Sequence, residues 1–421
     1  MATGEFRVRT GEHRLSTGEY RINADARIPF IMDLALALQD AGYSTHRLEE
    51  ALTAMSDRLG LTGQYFVTPT SIFASFGSGI TQSTYMMRTA PRPQNLGQLA
   101  RVTAVARGVL SGEVAVAEGM KQLMAVSVVP DPKPLTMIIG HGLASAAAAR
   151  FLGGAWPEMG MAALGGLGIG ALATTAARLP NVARVYEFLA AFLCSAAMTL
   201  LGALIGGYSV WLATLAGLIV LIPGLTLTTA ITELATSHLT AGTTRMAGAF
   251  MTFIGIGFGV ALGHKVAVLA VGPVAAVVPG AMPVLVNWLA LGVIAIAFSL
   301  LLRADRGDIG WILLSAVLAF VSTRLGGSIL GPEMGVFLGA LAVGLGSNLF
   351  YRITRRPAAI TMVPGLLTLV PGSIGFRSIS ALLDSQIVAG IDTAFSMVLT
   401  AVSLVAGLLT SAAIYPEERF A

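Results

Sequence analysis

Between Phe188 and Thr232 the chain runs for 45 residues without one Asp, Glu, Lys or Arg. A helix that crosses a bilayer needs about 20 apolar residues, so this run holds two. Seven more charge-free runs follow Pro134, at residues 159–177, 246–263, 266–302, 309–323, 334–351, 357–376 and 393–416. Charged residues make up 11% of the 421, against about 25% in soluble chains. They are also uneven: residues 1–134 carry 13 Lys and Arg with 12 Asp and Glu, and the other 287 residues carry 13 and 10. The first third can solvate a surface, and the rest can do so only in lipid. A soluble enzyme is excluded. The lone cysteine, Cys194, excludes a disulfide scaffold. The interspersed signs of the first third exclude a nucleic-acid-binding patch.

Adding the stretch around His141 gives ten spans, near 135–153, 158–177, 185–205, 208–232, 246–263, 284–302, 309–326, 332–351, 358–382 and 390–414. The segment Pro273–Pro283 reads as a loop or a re-entrant piece, which leaves eleven crossings open. Cations bias loops toward the cytoplasm. With the amino-terminal third inside, ten spans place Arg178, Arg184, Arg245, Arg303, Arg306, Arg352, Arg355, Arg356 and Arg419 on that side. Arg150, Lys265, Arg324 and Arg377 fall outside. The expected location is a cytoplasmic membrane, multi-pass, with both termini cytoplasmic.

Residues 1–27 contain three heptads, Thr3-Gly4-Glu5, Thr10-Gly11-Glu12 and Thr17-Gly18-Glu19, each followed by an aromatic or His and then Arg. Glycine in every unit argues against a coiled coil, so a mobile tail or a docking strand is expected. No apolar run occurs in residues 1–28, so no secretory signal is expected. Residues 28–134 read as a small α/β domain with a Pro-rich linker. Ile28–Gln39 is a helix ending at Gly42, and Ser44 caps a second helix that ends at Gly60. Two β-rich runs, Tyr65–Phe76 and Ile80–Arg88, are joined by Gly77-Ser78-Gly79. Helices over Leu96–Leu110 and Glu113–Val126 complete it. Asp33, Asp40, His46 and Asp57 have no spacing that compels catalysis, and a gating or scaffold role fits them better.

An internal echo is the most informative motif. Pro223-Gly224-Leu225-Thr226-Leu227-Thr228-Thr229 aligns with Pro371-Gly372-Ser373-Ile374-Gly375-Phe376-Arg377, and the register continues through Leu234/Leu382, Ser237/Ser385 and Gly242/Gly390. The offset is 371 − 223 = 148 throughout. Five spans separate the copies, and an odd number reverses direction. The fold expected is therefore an α-helical polytopic membrane protein with an inverted-topology repeat of five plus five spans. Residues 135–270 form one repeat and 271–421 the other, after the cytoplasmic α/β domain. A second echo, Pro157-Glu158-Met159-Gly160 with Pro332-Glu333-Met334-Gly335, has an offset of 332 − 157 = 175 and is read as coincidence or a shared helix start.

Paired Pro-Gly breaks at matching repeat positions point to a transporter's central site. Proline removes a backbone donor and breaks the span, and the half-helix beyond it presents amides that receive a carboxylate. Thr226, Thr229 and Glu233 share one helical face beyond the first break, and Ser373, Arg377 and Asp384 follow the second. Plainer readings stand beside these: kinks, threonines bonded to their own helix, a solvated Glu233, and Arg377 paired with Asp384 in water. His141, Asn287 and Asn348 read as packing groups, and the Gly165–Gly170 run as close helix packing. There is no HExxH motif, nucleophile elbow or paired intramembrane Asp, so a membrane hydrolase is disfavoured.

From about Ile28 to Tyr415 the chain resembles the bacterial threonine/serine exporters. The resemblance rests on Ala41-Gly42-Tyr43-Ser44-Thr45-His46-Arg47-Leu48-Glu49, Leu59-Gly60-Leu61, Pro69-Thr70 and Asn95–Glu118. It also rests on the paired Ile222-Pro223-Gly224-Leu225 and Val370-Pro371-Gly372-Ser373-Ile374-Gly375. It implies secondary export of small hydroxy amino acids driven by the proton-motive force, and the two-subunit relatives imply dicarboxylates such as succinate as the alternative. On this basis Pro223, Gly224, Thr226, Thr229, Pro371, Gly372, Ser373 and Arg377 are the candidate substrate-binding residues. Glu233, then Asp384, are the candidate proton-coupling acids. The expected partners are the amino acid, protons and the bilayer, without nucleic acid, and a homo-oligomer is compatible with the sequence. No cofactor or metal is expected.

Overall fold

A computed structural model describes residues 26–90, 92–127, 133–369, 372–383 and 386–415. The Thr-Gly-Glu heptads, Pro371, Asp384 and Arg419 lie outside the described residues.

In the amino-terminal unit, α1 (Arg27–Asp40) buries Phe30, Ile31, Leu34 and Leu38 on one stripe. It ends in a Schellman turn: the Gly42 amide donates to Gln39 O (3.0 Å) and the Tyr43 amide to Leu38 O (3.0 Å). Gly42 sits at φ +87, a region a side chain disfavours. A Cβ there would also lie 2.6 Å from Gln94 Cγ. In α2 (Thr45–Arg58), Leu48, Leu52 and Met55 face the same core. Ser44 stands at its N-cap position, but the hydroxyl makes no capping bond.

The run Tyr65–Phe76 is two strands rather than one. β1 (Gly63–Thr68) and β2 (Ser71–Phe76) pair antiparallel around Pro69-Thr70, with Thr68 opposite Ser71. Proline cannot donate to a ladder, so the run folds back there, and Thr68 Oγ1 accepts from the Ser71 amide at 3.0 Å. β3 (Ser83–Arg88) completes a β1-β2-β3 meander. α3 (Leu96–Ser111) is capped by Asn95, whose side chain accepts from the Gln98 amide. After Gly112, at φ +81, comes α4 (Val116–Ser127), three residues later than the sequence suggested.

The apolar part is helical. Six continuous helices are α5 (Pro134–Phe151), α6 (Trp156–Ala176), α8 (Tyr186–Ile205), α11 (Leu239–Val271), α12 (Leu285–Leu301) and α13 (Ile309–Leu330). Two more are α14 (Pro332–Thr354) and α17 (Ile387–Ile414), and a one-turn α7 (Pro180–Ala183) precedes α8. Two segments are interrupted: α9 (Val210–Gly217) with α10 (Gly224–Ala235), and α15 (Ala359–Leu367) with α16 (Gly372–Leu383). Among the described residues seven stretches are long and apolar enough to cross a membrane, and Leu285–Leu301 is a shorter apolar helix. Seven of the ten sequence-derived segments fall on these stretches and an eighth on Leu285–Leu301; those near 135–153 and 208–232 are helical, as α5 and the broken α9–α10 pair, but are not among them. Residues 272–283 contain neither helix nor strand, so an eleventh helix is absent among the described residues. α11 runs past Lys265 because backbone bonds, not side-chain polarity, end a helix.

Packing follows small residues. Gly259 of α11 lies against Phe188 O and Ala191 Cβ of α8, and Gly407 of α17 against Phe337 O and Ala340 Cβ of α14. Gly242 and Gly390 abut Leu234 and Leu382 in the same way. In α6 three of the four glycines of the Gly165–Gly170 run pack closely, Gly165 against Cys194 Sγ, Gly166 against His141 O and Gly170 against Ile138 Cα, while Gly168 faces open space. The sequence similarity at Pro157 and Pro332 marks two helix starts, those of α6 and α14.

At the first of these, Glu158 is 1% exposed. Its carboxylate accepts from the Ala155 amide (2.9 Å) and the Ser209 amide (2.8 Å), which ties the start of α6 to the turn before α9. Glu158→Ala strands both buried donors, at about 1–3 kcal/mol each. Thermal unfolding in detergent should show a loss of about 2–4 kcal/mol, and Glu158→Gln, which keeps one acceptor, should lose about half as much.

Candidate functional site

The two interruptions meet. A Cβ on Gly372 would lie 3.4 Å from Gly224 Cα and 2.6 Å from Ile222 Cγ2, so the starts of α10 and α16 pack backbone to backbone. Pro223 begins α10 with no side-chain cap, so the first amides of that half-helix have no intrahelical partner.

A cavity of about 760 Å³ opens at this crossing. Pro223, Thr226, Thr229 and Ser373 line it, with Met137 and Ala144 of α5 and Ile294, Phe298 and Leu301 of α12 as apolar walls and the polar His141 of α5 among them. The amino-terminal unit supplies a further wall through Gln39, Tyr43, Ser44, Arg92 and Gln94. Thr229 donates to Leu225 O at 2.9 Å, the plainer reading for a helical threonine. The Thr226 and Ser373 hydroxyls bond no described residue.

Glu233 is fully buried and does not line the cavity. Both of its oxygens accept from Arg245 Nε of α11, at 3.1 and 3.0 Å, and Arg245 does line the cavity. Arg377 is elsewhere: it is exposed, with its guanidinium 5.4 Å from the Trp211 ring centroid. Arg245 and Glu187, both on the cavity wall, were not singled out from the sequence. Each immediately precedes a charge-free run, Arg245 the run 246–263 and Glu187 the run 188–232, and that placement is the signal that could have found them.

The amino-terminal unit is fastened to the helical part by named bonds. The Leu96 amide donates to Leu302 O (2.8 Å) and the Gly97 amide to Arg303 O (3.1 Å). His238 Nε2, in the turn between α10 and α11, lies 3.3 Å from Glu49 Oε2 of α2. His46 stacks obliquely on His238, with ring centroids 5.9 Å apart. Burial, with Arg47 and His238 nearby, lowers the His46 pKa to about 3 and keeps that ring neutral. No group of His, Cys, Asp and Glu able to hold a metal occurs among the described residues.

A polytopic helical membrane protein with a cavity at crossed helix breaks is the class that fold and site define. A family model described as "Putative threonine/serine exporter" matches residues 29–267, and a second, "Threonine/Serine exporter, ThrE", matches residues 287–414. The chain belongs to the threonine/serine exporter family, a membrane-transport family. It is also similar to "Pheromone-regulated membrane protein 10" from yeasts. That of Candida albicans (strain SC5314 / ATCC MYA-2876) is 29% identical over 242 residues, 56% of this chain and 22% of the yeast protein. That of Saccharomyces cerevisiae (strain YJM789) is 28% identical over 242 residues, 56% of this chain and 31% of its own length. The chain thus spans less than a third of these relatives. No solved structure matches.

Proposed function

We propose that the chain is a secondary active exporter of small hydroxy amino acids, threonine and serine, working by proton antiport and alternating access in a bacterial cytoplasmic membrane. One observation carries this reading: two half-helix starts and two uncommitted hydroxyls, Thr226 and Ser373, converge on one cavity. The amides beyond Gly224 and Gly372 receive the substrate carboxylate, and the two hydroxyls bond its hydroxyl or amine. Two residue contacts support a five-plus-five inverted repeat. The Gly259 and Gly407 contacts are offset by 407 − 259 = 148, and those of Gly242 and Gly390 by 390 − 242 = 148. In this reading the amino-terminal unit lies in the cytoplasm, as the excess of cations on its side of the spans supports, and forms the vestibule wall.

Antiport requires that proton and substrate exclude one another. A paired Glu233 and Arg245 present no net charge to the cavity and admit a zwitterion. Protonating Glu233 leaves the Arg245 cation uncompensated, which opposes the substrate ammonium and expels it. Arg377, the residue that would mark a dicarboxylate carrier, sits away from the cavity and lends that alternative no support.

Proteoliposomes loaded with labelled threonine test the reading. Export should follow an imposed proton gradient and stop when it collapses; unchanged efflux would overturn the coupling. Thr226→Val removes one hydrogen bond worth about 1.5 kcal/mol, so threonine transport should fall about tenfold while alanine transport changes little. Wild-type rates for threonine in this variant would remove Thr226 from the site.

A further inference from the structure

A second, smaller cavity of about 170 Å³ lies where the amino-terminal unit rests on the outer face of α10. That is room for a small organic molecule rather than one water. Three of its side chains come from segments far apart in sequence: His46 of α2, Gln94 before α3 and Asn348 of α14. Each carries a buried polar atom with no hydrogen-bond partner, His46 Nδ1, Gln94 Oε1 and Asn348 Oδ1. Asn348 is 3% exposed and its amide nitrogen already donates to Tyr415 O at 2.6 Å. Buried polar groups are ordinarily paired, so three orphans around one cavity mark a place where a ligand supplies the missing partners.

The chemistry of that ligand follows from the wall. The hydroxyls of Thr228, Thr229, Thr232 and Ser411 each donate to their own helix, at 3.1, 2.9, 2.9 and 2.7 Å. They therefore offer lone pairs to the cavity, as do the two amide oxygens and the neutral His46 ring. An acceptor-lined wall wants a donor-rich cation. Arg47, whose Nη2 lies 4.0 Å from Met362 Sδ on the same cavity, has five N–H donors, more than one contact uses, and a guanidinium donor suits a carboxylate.

We propose that this cavity is a second site for an α-amino acid zwitterion, adjoining the transport cavity with Gln94 and Thr229 in the shared wall, its ammonium on Asn348, Gln94 and His46 and its carboxylate toward Arg47. Because its walls belong to both units, occupancy clamps the amino-terminal unit against α10. The site then reads the amino acid level on the side the unit faces. The exporter reading enters only through the choice of threonine as probe.

Equilibrium dialysis of labelled threonine against the full-length chain in nanodiscs tests this. Two equivalents per chain are expected, one of them sensitive to Thr226→Val. His46 lines only the smaller cavity. His46→Phe should weaken the other equivalent at least tenfold and leave the Thr226-sensitive one intact, which also reports a folded protein. His46→Glu places a carboxylate beside the ammonium and should tighten that same equivalent; this variant decides the matter if the phenylalanine variant loses both. One equivalent, lost in Thr226→Val and unmoved by either His46 variant, overturns the second site and leaves the transport cavity standing. One equivalent that answers to His46 and ignores Thr226 keeps the second site and overturns the transport assignment. No bound threonine overturns both.

Discussion

Gly372→Ala is expected to lower threonine export at least about tenfold while the chain still inserts and folds. The added methyl would stand 2.6 Å from Ile222 Cγ2, well inside the 3.5–4.0 Å at which carbon atoms attract. Ile222 is β-branched and stiff, so the strain passes into the backbone at the break. Overpacking of this kind costs about 1–3 kcal/mol, which a folded chain survives. Transport is more sensitive, since the half-helix amides act only in place, and a shift of about 1 Å at a positioned site can cost about a hundredfold. Two controls separate this from a general dislike of alanine. Gly255→Ala, where nothing lies within 4 Å, should export normally. Adding Ile222→Ala to Gly372→Ala removes the offending methyl, leaves the Gly224 contacts at 3.4 and 3.6 Å, and should restore most of the rate. A fully active Gly372→Ala would show that the crossing is not part of the transport site.

Glu233→Gln is expected to have the other large effect, on both stability and coupling. Losing one partner of a buried pair costs about 3–5 kcal/mol. Arg245 retains 23% side-chain exposure, so the lower end, about 3 kcal/mol, is expected. Thermal unfolding in detergent reads this directly. Arg245→Gln added to Glu233→Gln removes the stranded cation and should recover most of the stability, because replacing both partners of such a pair is far cheaper than breaking it. Coupling should not recover: export in the double variant should run downhill at a rate indifferent to the proton gradient. If the double variant still concentrates threonine under a gradient, Glu233 is a structural partner and the coupling acid lies elsewhere, with Asp384 and the cavity-lining Glu187 next in turn.

Much of this molecule was legible in the chain because the signals are local. Charge is costly in hydrocarbon, so the charge-free runs marked where the apolar helices lie, though not their ends: α11 extends from Leu239 to Val271, past Arg245 and Lys265. Pro223 and the Pro-Gly pair at 371–372 marked the breaks because a missing donor followed by glycine favours a helix end, although Pro364 alone is carried inside α15. The Schellman turn at Gly42 and the fold-back at Pro69-Thr70 are equally local, although the second was first read as one long strand. Ser44 fits the N-cap position by type, yet its hydroxyl closes no cap, and the residue lines both cavities.

What the chain by itself determined is which segments are apolar helices, where two of them break, and that the breaks recur 148 residues apart. Only the tertiary structure decided which polar groups share a space. Helix periodicity fixes the face a side chain occupies, but the neighbour of that face is set by packing between segments distant in sequence. Thus Arg377 follows Ser373 by one turn and still lies over Trp211, outside the cavity. Arg245, read only as a cation between spans, closes on a buried Glu233. Gln94, in a loop 131 residues before Leu225 (225 − 94), lines both cavities with it. The burial of glycine against backbone at Gly224 and Gly372 joins the two breaks, and no reading of either segment alone contains that contact.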